Sequence, residues 1–140
     1  MDIVLSNILS FVFIVLSVIH FYWAFNGEKG INIALPTNEN GKRVLNLKKI
    51  EIFIIGIGLL FFALYYFLRT RLLEIEFPEL IIEYSGWVIS SIFIVRAIGD
   101  FKYVGFFKKI KNTEFGKFDT KYFSYISLLI GLIGIIVELL

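Results

Sequence analysis

A chain of 140 residues is one domain's worth of sequence. Its 58% apolar content and mean hydropathy of +0.81 exclude an ordinary soluble domain. Without cysteine there is no disulfide, no thiolate metal site and no cysteine nucleophile, and a formal charge of +2 is too small for a nucleic-acid binder.

The first element is Ile3 to Phe25, which contains no Asp, Glu, Lys or Arg. About 20 helical residues cross a hydrocarbon core, so this run is long enough to span one. A signal peptide wants a basic start and a small-residue cleavage site. Here Asp2 stands at the start and the run ends in His20-Phe-Tyr-Trp-Ala-Phe25, an aromatic belt, so a retained span is expected. Residues 26–49 follow as a loop broken by Gly27, Gly30, Pro36 and Gly41. The second span covers 50–68, and an acidic loop comes next with Glu74, Glu76, Glu79 and Glu83 around Pro78. The third span covers about 80–99, residues 100–121 form a basic loop, and the fourth span covers 122–140. The expectation is an all-α fold: one integral membrane four-helix bundle over residues 1–140, with a basic interfacial cytoplasmic loop between helices 3 and 4.

Orientation follows from the lysines and arginines. The first and third loops carry eleven of them and the second loop carries Arg69 and Arg71 alone. Both termini are therefore expected outside a cytoplasmic membrane, with the two long loops inside.

Small and polar residues recur along the spans with a period near 3.5, the mark of helix faces that meet in lipid. The first span offers Ser6, Ser10, Phe13, Ser17, His20 and Ala24, and the fourth Thr120, Ser124, Ser127, Gly131, Gly134 and Glu138. The third shows Ser85, Gly86, Ile89, Ser90, Phe93, Arg96, Ala97 and Asp100 in one arc. The second follows more weakly, with Glu51, Ile55, Gly58, Phe62, Tyr65 and Arg69.

Ionisable groups inside spans are costly and mark candidate sites. His20, Glu51, Arg96, Asp100 and Asp119 all fall near the cytoplasmic ends of their spans, with Trp23 and Tyr103 close by. Asp100 stands four residues after Arg96, which predicts an ion pair on one helix face. As a binding site, these seven residues would present Arg96 as an anion clamp and His20 as the one side chain that titrates near neutrality. As a structural device, Arg96 would reach to the interface with Asp100 as partner and fix helix register. No catalytic residue is assigned, a metal site lacks its ligand set, and no cofactor motif is present.

The segment Phe101–Lys121 alternates aromatics with lysines. Lys102, Phe106, Phe107, Lys108, Lys109 and Lys111 are expected to lie against anionic lipids of the cytoplasmic leaflet. Glu138 stands out too, on the packing face of the fourth span near the outer surface.

The residues His20-x-Tyr22-Trp23-Ala24-Phe25 with Gly27 and Gly30 begin a recognisable pattern. Ala34-x-Pro36-Thr37 with Gly41 continues it, and the block from Arg96 to Lys108 and Thr113-x-Phe115 with Asp119 complete it. Together they resemble the domain-of-unknown-function family 3995, small four-span bacterial proteins. In that family a proline often follows the serine matching Ser124, where this chain has Tyr125, and an alanine often replaces Gly116. The resemblance implies a bacterial integral membrane protein and assigns its motif residues no role. Three functions remain open: a module binding an anionic amphiphile or small ligand at the cytoplasmic face, an accessory or self-associating subunit of a membrane complex, and an enzyme on a lipid head group or isoprenoid.

Overall fold

A computed structural model describes all 140 residues and is all-α. The helices are α1 (Asp2–Ala24), the short α2 (Ile31–Ala34), α3 (Lys49–Arg69), α4 (Glu79–Ile98) and α5 (Glu114–Leu139). Four of them, α1, α3, α4 and α5, are long and apolar enough to cross a membrane. The last begins earlier than its apolar run suggests, because Thr113 caps it by accepting the Gly116 N–H at 2.9 Å. Glu51 serves α3 in the same way, accepting the Lys48 N–H at 2.7 Å. Pro78 and Glu79 open α4, where a missing N–H costs nothing and a carboxylate suits the helix dipole.

α1 packs along α3, and α4 along α5; the two pairs join chiefly through α1 and α5, while α3 and α4 barely touch. Close approach within each pair comes from small residues. Ser10 and Ser17 of α1 donate to the carbonyls of Ala63 and Gly56 on α3, at 2.8 and 2.7 Å. Between α4 and α5, Gly131 lies against Ile94 and Gly134 against Ser90, leaving no room for a methyl group at either. Phe13, fully buried, ties the pairs together at mid-height. Its ring lies 5.6 Å from Phe62, 5.8 Å from Tyr66 and 5.3 Å from Phe93.

The buried faces of α1 and α4 follow the small-residue pattern: Ser6, Ser10, Phe13 and Ser17 on one, Gly86, Ile89, Ser90 and Ala97 on the other. α3 is different. Its buried face is Ile52, Gly56, Leu59, Ala63 and Tyr66, one position round from the expected stripe, and Glu51 and Ile55 are exposed. In a helix apolar on every side, large residues carry no face information, and only Gly56 and Ala63 mark the close approach.

α5 contains a π-turn over Asp119–Phe123, where the Ser124 N–H bonds back to the Asp119 carbonyl. The extra residue rotates the helix. Asp119 rather than Thr120 therefore lies inward, in line with Ser124, Ser127, Gly131 and Gly134.

The loop between α1 and α3 is also ordered. Asn38 holds a tight turn by accepting the N–H groups of Asn40 and Lys42 at 3.0 and 2.9 Å, and Thr37 bridges Arg43. Leu35 is buried beneath it, and α2 packs on the start of α5.

Candidate functional site

The loops bearing most of the lysines gather at one end of the bundle, and the site there is organised by Asp119. Its carboxylate is fully buried. Oδ1 accepts from Arg96 Nη2 at 2.7 Å, and Oδ2 accepts from the Gly105 N–H at 2.8 Å and from Lys108 Nζ at 3.1 Å. Lys108 Nζ also donates to the Gly105 carbonyl at 2.8 Å. A single carboxylate therefore ties α4, the following loop and α5 together. Its burial is tolerable because two cations and a backbone N–H replace the water it gives up.

The expected Arg96–Asp100 pair does not form. Gly99 takes φ of 85° and ends α4 at Ile98, so Asp100 never reaches the next turn of the helix. Asp100 Oδ1 turns instead into its own loop and accepts the N–H groups of Lys102, Tyr103 and Val104 at 3.0, 2.8 and 3.0 Å. What burial it has opposes its charge. The three N–H donors outweigh that and hold the carboxyl below its ordinary value.

Two glycines complete the clasp. Gly99 and Gly105, both at positive φ, lie back to back where the chain returns. A Cβ on the first would meet the Val104 backbone, and on the second the Ile98 backbone. The Phe106 N–H then bonds to the Ala97 carbonyl at 2.8 Å, and the N–H groups of Lys109 and Ile110 to the Lys102 carbonyl at 3.0 and 2.9 Å. From Arg96 to Lys108 the chain passes from the last turn of α4 into a folded loop, in which Arg96, Gly99, Asp100, Gly105 and Lys108 each have a structural task.

Lys108 corrects the expectation of a lipid-facing lysine: its side chain is wholly buried because Asp119 draws it inward. Lys102, Phe107, Lys109 and Lys111 stay exposed, and Phe106 is half-buried with its ring edge-on to Tyr125 at 5.0 Å. The Lys102 ammonium lies 5.1 Å from the ring of Tyr103. His20 is engaged locally, its Nδ1 bonded to the Leu16 carbonyl at 2.7 Å and its ring 5.2 Å from Trp23, whose Nε1 donates to the Lys29 carbonyl at 2.8 Å. Glu51 caps α3. The seven expected site residues therefore divide: Arg96 and Asp119 meet directly, Asp100 shapes the same loop, and the others serve local contacts. Arg96 Nη1 and Ser124 Oγ are buried without a hydrogen-bond partner.

Beside the clasp a polar cleft of about 620 Å³ opens between the two long loops. The turn from Thr37 to Arg43 forms one wall and Lys109 to Glu114 the other, with Asn32 at the base. Arg43, Lys109 and Lys111 supply three cations there, against Glu39 and Glu114. Arg43 Nη2 is steadied by Asn32 Oδ1 at 2.8 Å.

A second cluster, at the end that carries the termini, is one the sequence marks only through Glu138. Arg69 of α3 pairs with that carboxylate at 3.1 Å and donates to the Val137 carbonyl at 3.2 Å. The Tyr65 hydroxyl accepts from Arg69 Nη1 at 3.2 Å and lies 3.0 Å from the Ile82 carbonyl and 3.2 Å from Glu138. Tyr65 and Arg69, four residues apart, and Glu138 at the end of a packing stripe are the signal that could have found it.

The model of the family described as "Protein of unknown function (DUF3995)" matches residues 13–134. The chain belongs to that family. The match takes in the whole clasp, from Arg96 to Asp119, and both walls of the polar cleft. No curated protein and no solved structure matches the chain.

Proposed function

We propose that this family member is a membrane-embedded binding module that holds an anionic small molecule or amphiphile headgroup at its basic end. The observation that carries this reading is the cleft between the two long loops, with Arg43, Lys109 and Lys111 on its walls. Arg96 and Lys108 are ion-paired with Asp119, so recognition falls to cations that have no carboxylate partner. The clasp supports recognition by fixing one wall in advance, which lowers the ordering cost of binding.

The lysine and arginine bias supports a cytoplasmic placement of this end, against anionic lipids, with both termini outside. Because the chain has no cysteine, introduced ones test it cleanly. Glu76→Cys is expected to react with an impermeant maleimide on intact cells, and Lys111→Cys only after lysis; the reverse pattern overturns the orientation.

The binding test is native mass spectrometry from mild detergent, titrating a phosphoglycerol lipid against a choline lipid of the same chains. The wild type is expected to prefer the anionic lipid. The Arg43→Ala/Lys109→Ala/Lys111→Ala variant should lose that preference by roughly tenfold or more, given about 1 kcal/mol per lysine near an anionic surface. Equal preference in the two proteins would refute the assignment. Most of the Gly and Ser positions of the helix faces are used inside the bundle, so the binding reading is the one that a specific observation favours.

A further inference from the structure

At the opposite end the helices part. α3 and α4 are joined by a short loop yet barely touch, and a cleft of about 1330 Å³ lies between them. Its walls are apolar: Phe61, Leu64 and Leu68 from α3 face Ile81 and Val88 from α4. Phe61, Leu64, Ile81 and Val88 are exposed, so the cleft opens sideways, to where acyl chains would lie. From Glu79 to Ile89 the α4 wall is roughly 15 Å long at 1.5 Å per residue, room for an extended chain of about a dozen carbons.

The mouth has a different character. Asp2, Glu74, Glu76 and Glu79 line it, and none of these carboxylates takes part in an ion pair. Two arginines stand among them. Arg69 is engaged by Glu138 at 3.1 Å, while Arg71 has no internal partner and is exposed. The mouth thus offers a surplus of negative charge with one free guanidinium inside it. An anionic headgroup would meet the carboxylates, and a purely cationic one would leave Arg71 opposed. A headgroup with an ammonium next to a phosphate satisfies both.

We infer that the α3–α4 cleft is a lateral binding site for a zwitterionic lipid whose headgroup carries an ammonium and a phosphate. The chain lies along Phe61, Leu64 and Val88, the ammonium among Glu74, Glu76 and Glu79, and the phosphate at Arg71. Arg69 and Tyr65, which line the cleft, reach from α3 to Glu138 of α5, and the Tyr65 hydroxyl also to the Ile82 carbonyl of α4. This site is independent of the basic-end cleft and takes the opposite headgroup preference.

The test is native mass spectrometry in the Arg43→Ala/Lys109→Ala/Lys111→Ala background, so that the basic-end cleft contributes nothing. An ethanolamine-headed phospholipid is titrated against a phosphoglycerol lipid of the same chains. The expected result is retention of the ethanolamine lipid, with its preference falling roughly tenfold in Glu74→Gln/Glu76→Gln/Glu79→Gln, since each exposed charge contact contributes a few-fold. Val88→Trp, on an exposed surface that tolerates bulk, should lower retention of both lipids by filling the cleft. Preference for the phosphoglycerol lipid, or an ethanolamine preference untouched by the glutamine variant, would overturn the inference. So would a stable dimer that retains no lipid, because a second copy would then fill the groove.

Discussion

The two ends of the bundle use one chemical device to opposite effect. At each, an arginine reaches across to a carboxylate on α5: Arg96 to Asp119 at 2.7 Å, and Arg69 to Glu138 at 3.1 Å. At the basic end the carboxylate also takes a lysine and a backbone N–H from the loop after α4, so the loop folds shut over it. At the other end the carboxylate takes only the Tyr65 hydroxyl besides Arg69, with no donor from the connecting loop, and α3 and α4 make few contacts. What separates a clasp from an open cleft is whether the connecting chain supplies donors to the buried charge.

The sharpest way to break this contrast is at Asp119. Asp119→Ala leaves two cations, the wholly buried Lys108 and the partly exposed Arg96, without their counter-charge, a loss of about 3–5 kcal/mol. Thermal unfolding in detergent should show it as the largest drop of any single change named here. Glu138→Ala is the matched case at the other end. Glu138 holds one cation, Arg69, where Asp119 holds two, so about 1–2 kcal/mol is expected from the same measurement. Equal losses would erase the distinction between the ends.

Gly99→Ala and Gly105→Ala test the clasp without touching its charges. Each sets a methyl group against backbone at positive φ, which costs about 1–3 kcal/mol. The same change at Gly58, which has open space around it, should be neutral or slightly stabilising.

Much of this was legible in the sequence, for identifiable reasons. Spans and helix faces show wherever small residues alternate with large ones, as Ser6 to Ser17 and Ser124 to Gly134 do. The α3 face slipped by one because Ile, Leu and Phe surround it. Spacing also predicts Arg96 with Asp100, but that rule holds only while the helix continues, and Gly99 stops it. The true partner is 23 residues further on. The π-turn has no local signature, so the pattern points to Thr120 where Asp119 is inward. Lys108, one of a run of lysines, becomes distinct only once the fold brings Asp119 to it.

A smaller effect comes from acid. The Asp100 carboxyl is held below its ordinary value, so its support for the loop is present in full above about pH 4, the unfolded carboxylate range, and fades as pH falls through the depressed value. Amide exchange at Lys102, Tyr103 and Val104, corrected for the intrinsic pH dependence, should speed up in that window, and Asp100→Ala should show the fast rate at neutral pH. The smallest loss is at Ser17→Ala, which removes one interhelical hydrogen bond to Gly56 and should cost about 0.6 kcal/mol.

The most direct test of the account is hydrogen exchange over residues 99–110 in lipid nanodiscs, wild type beside Asp119→Asn. The folded clasp predicts protected amides at Gly105, Phe106, Lys109 and Ile110 in the wild type. It also predicts their loss in the variant while the α1–α3 pair stays protected. Free exchange across this loop in the wild type would contradict it, and with it the preformed wall on which the proposed binding site depends.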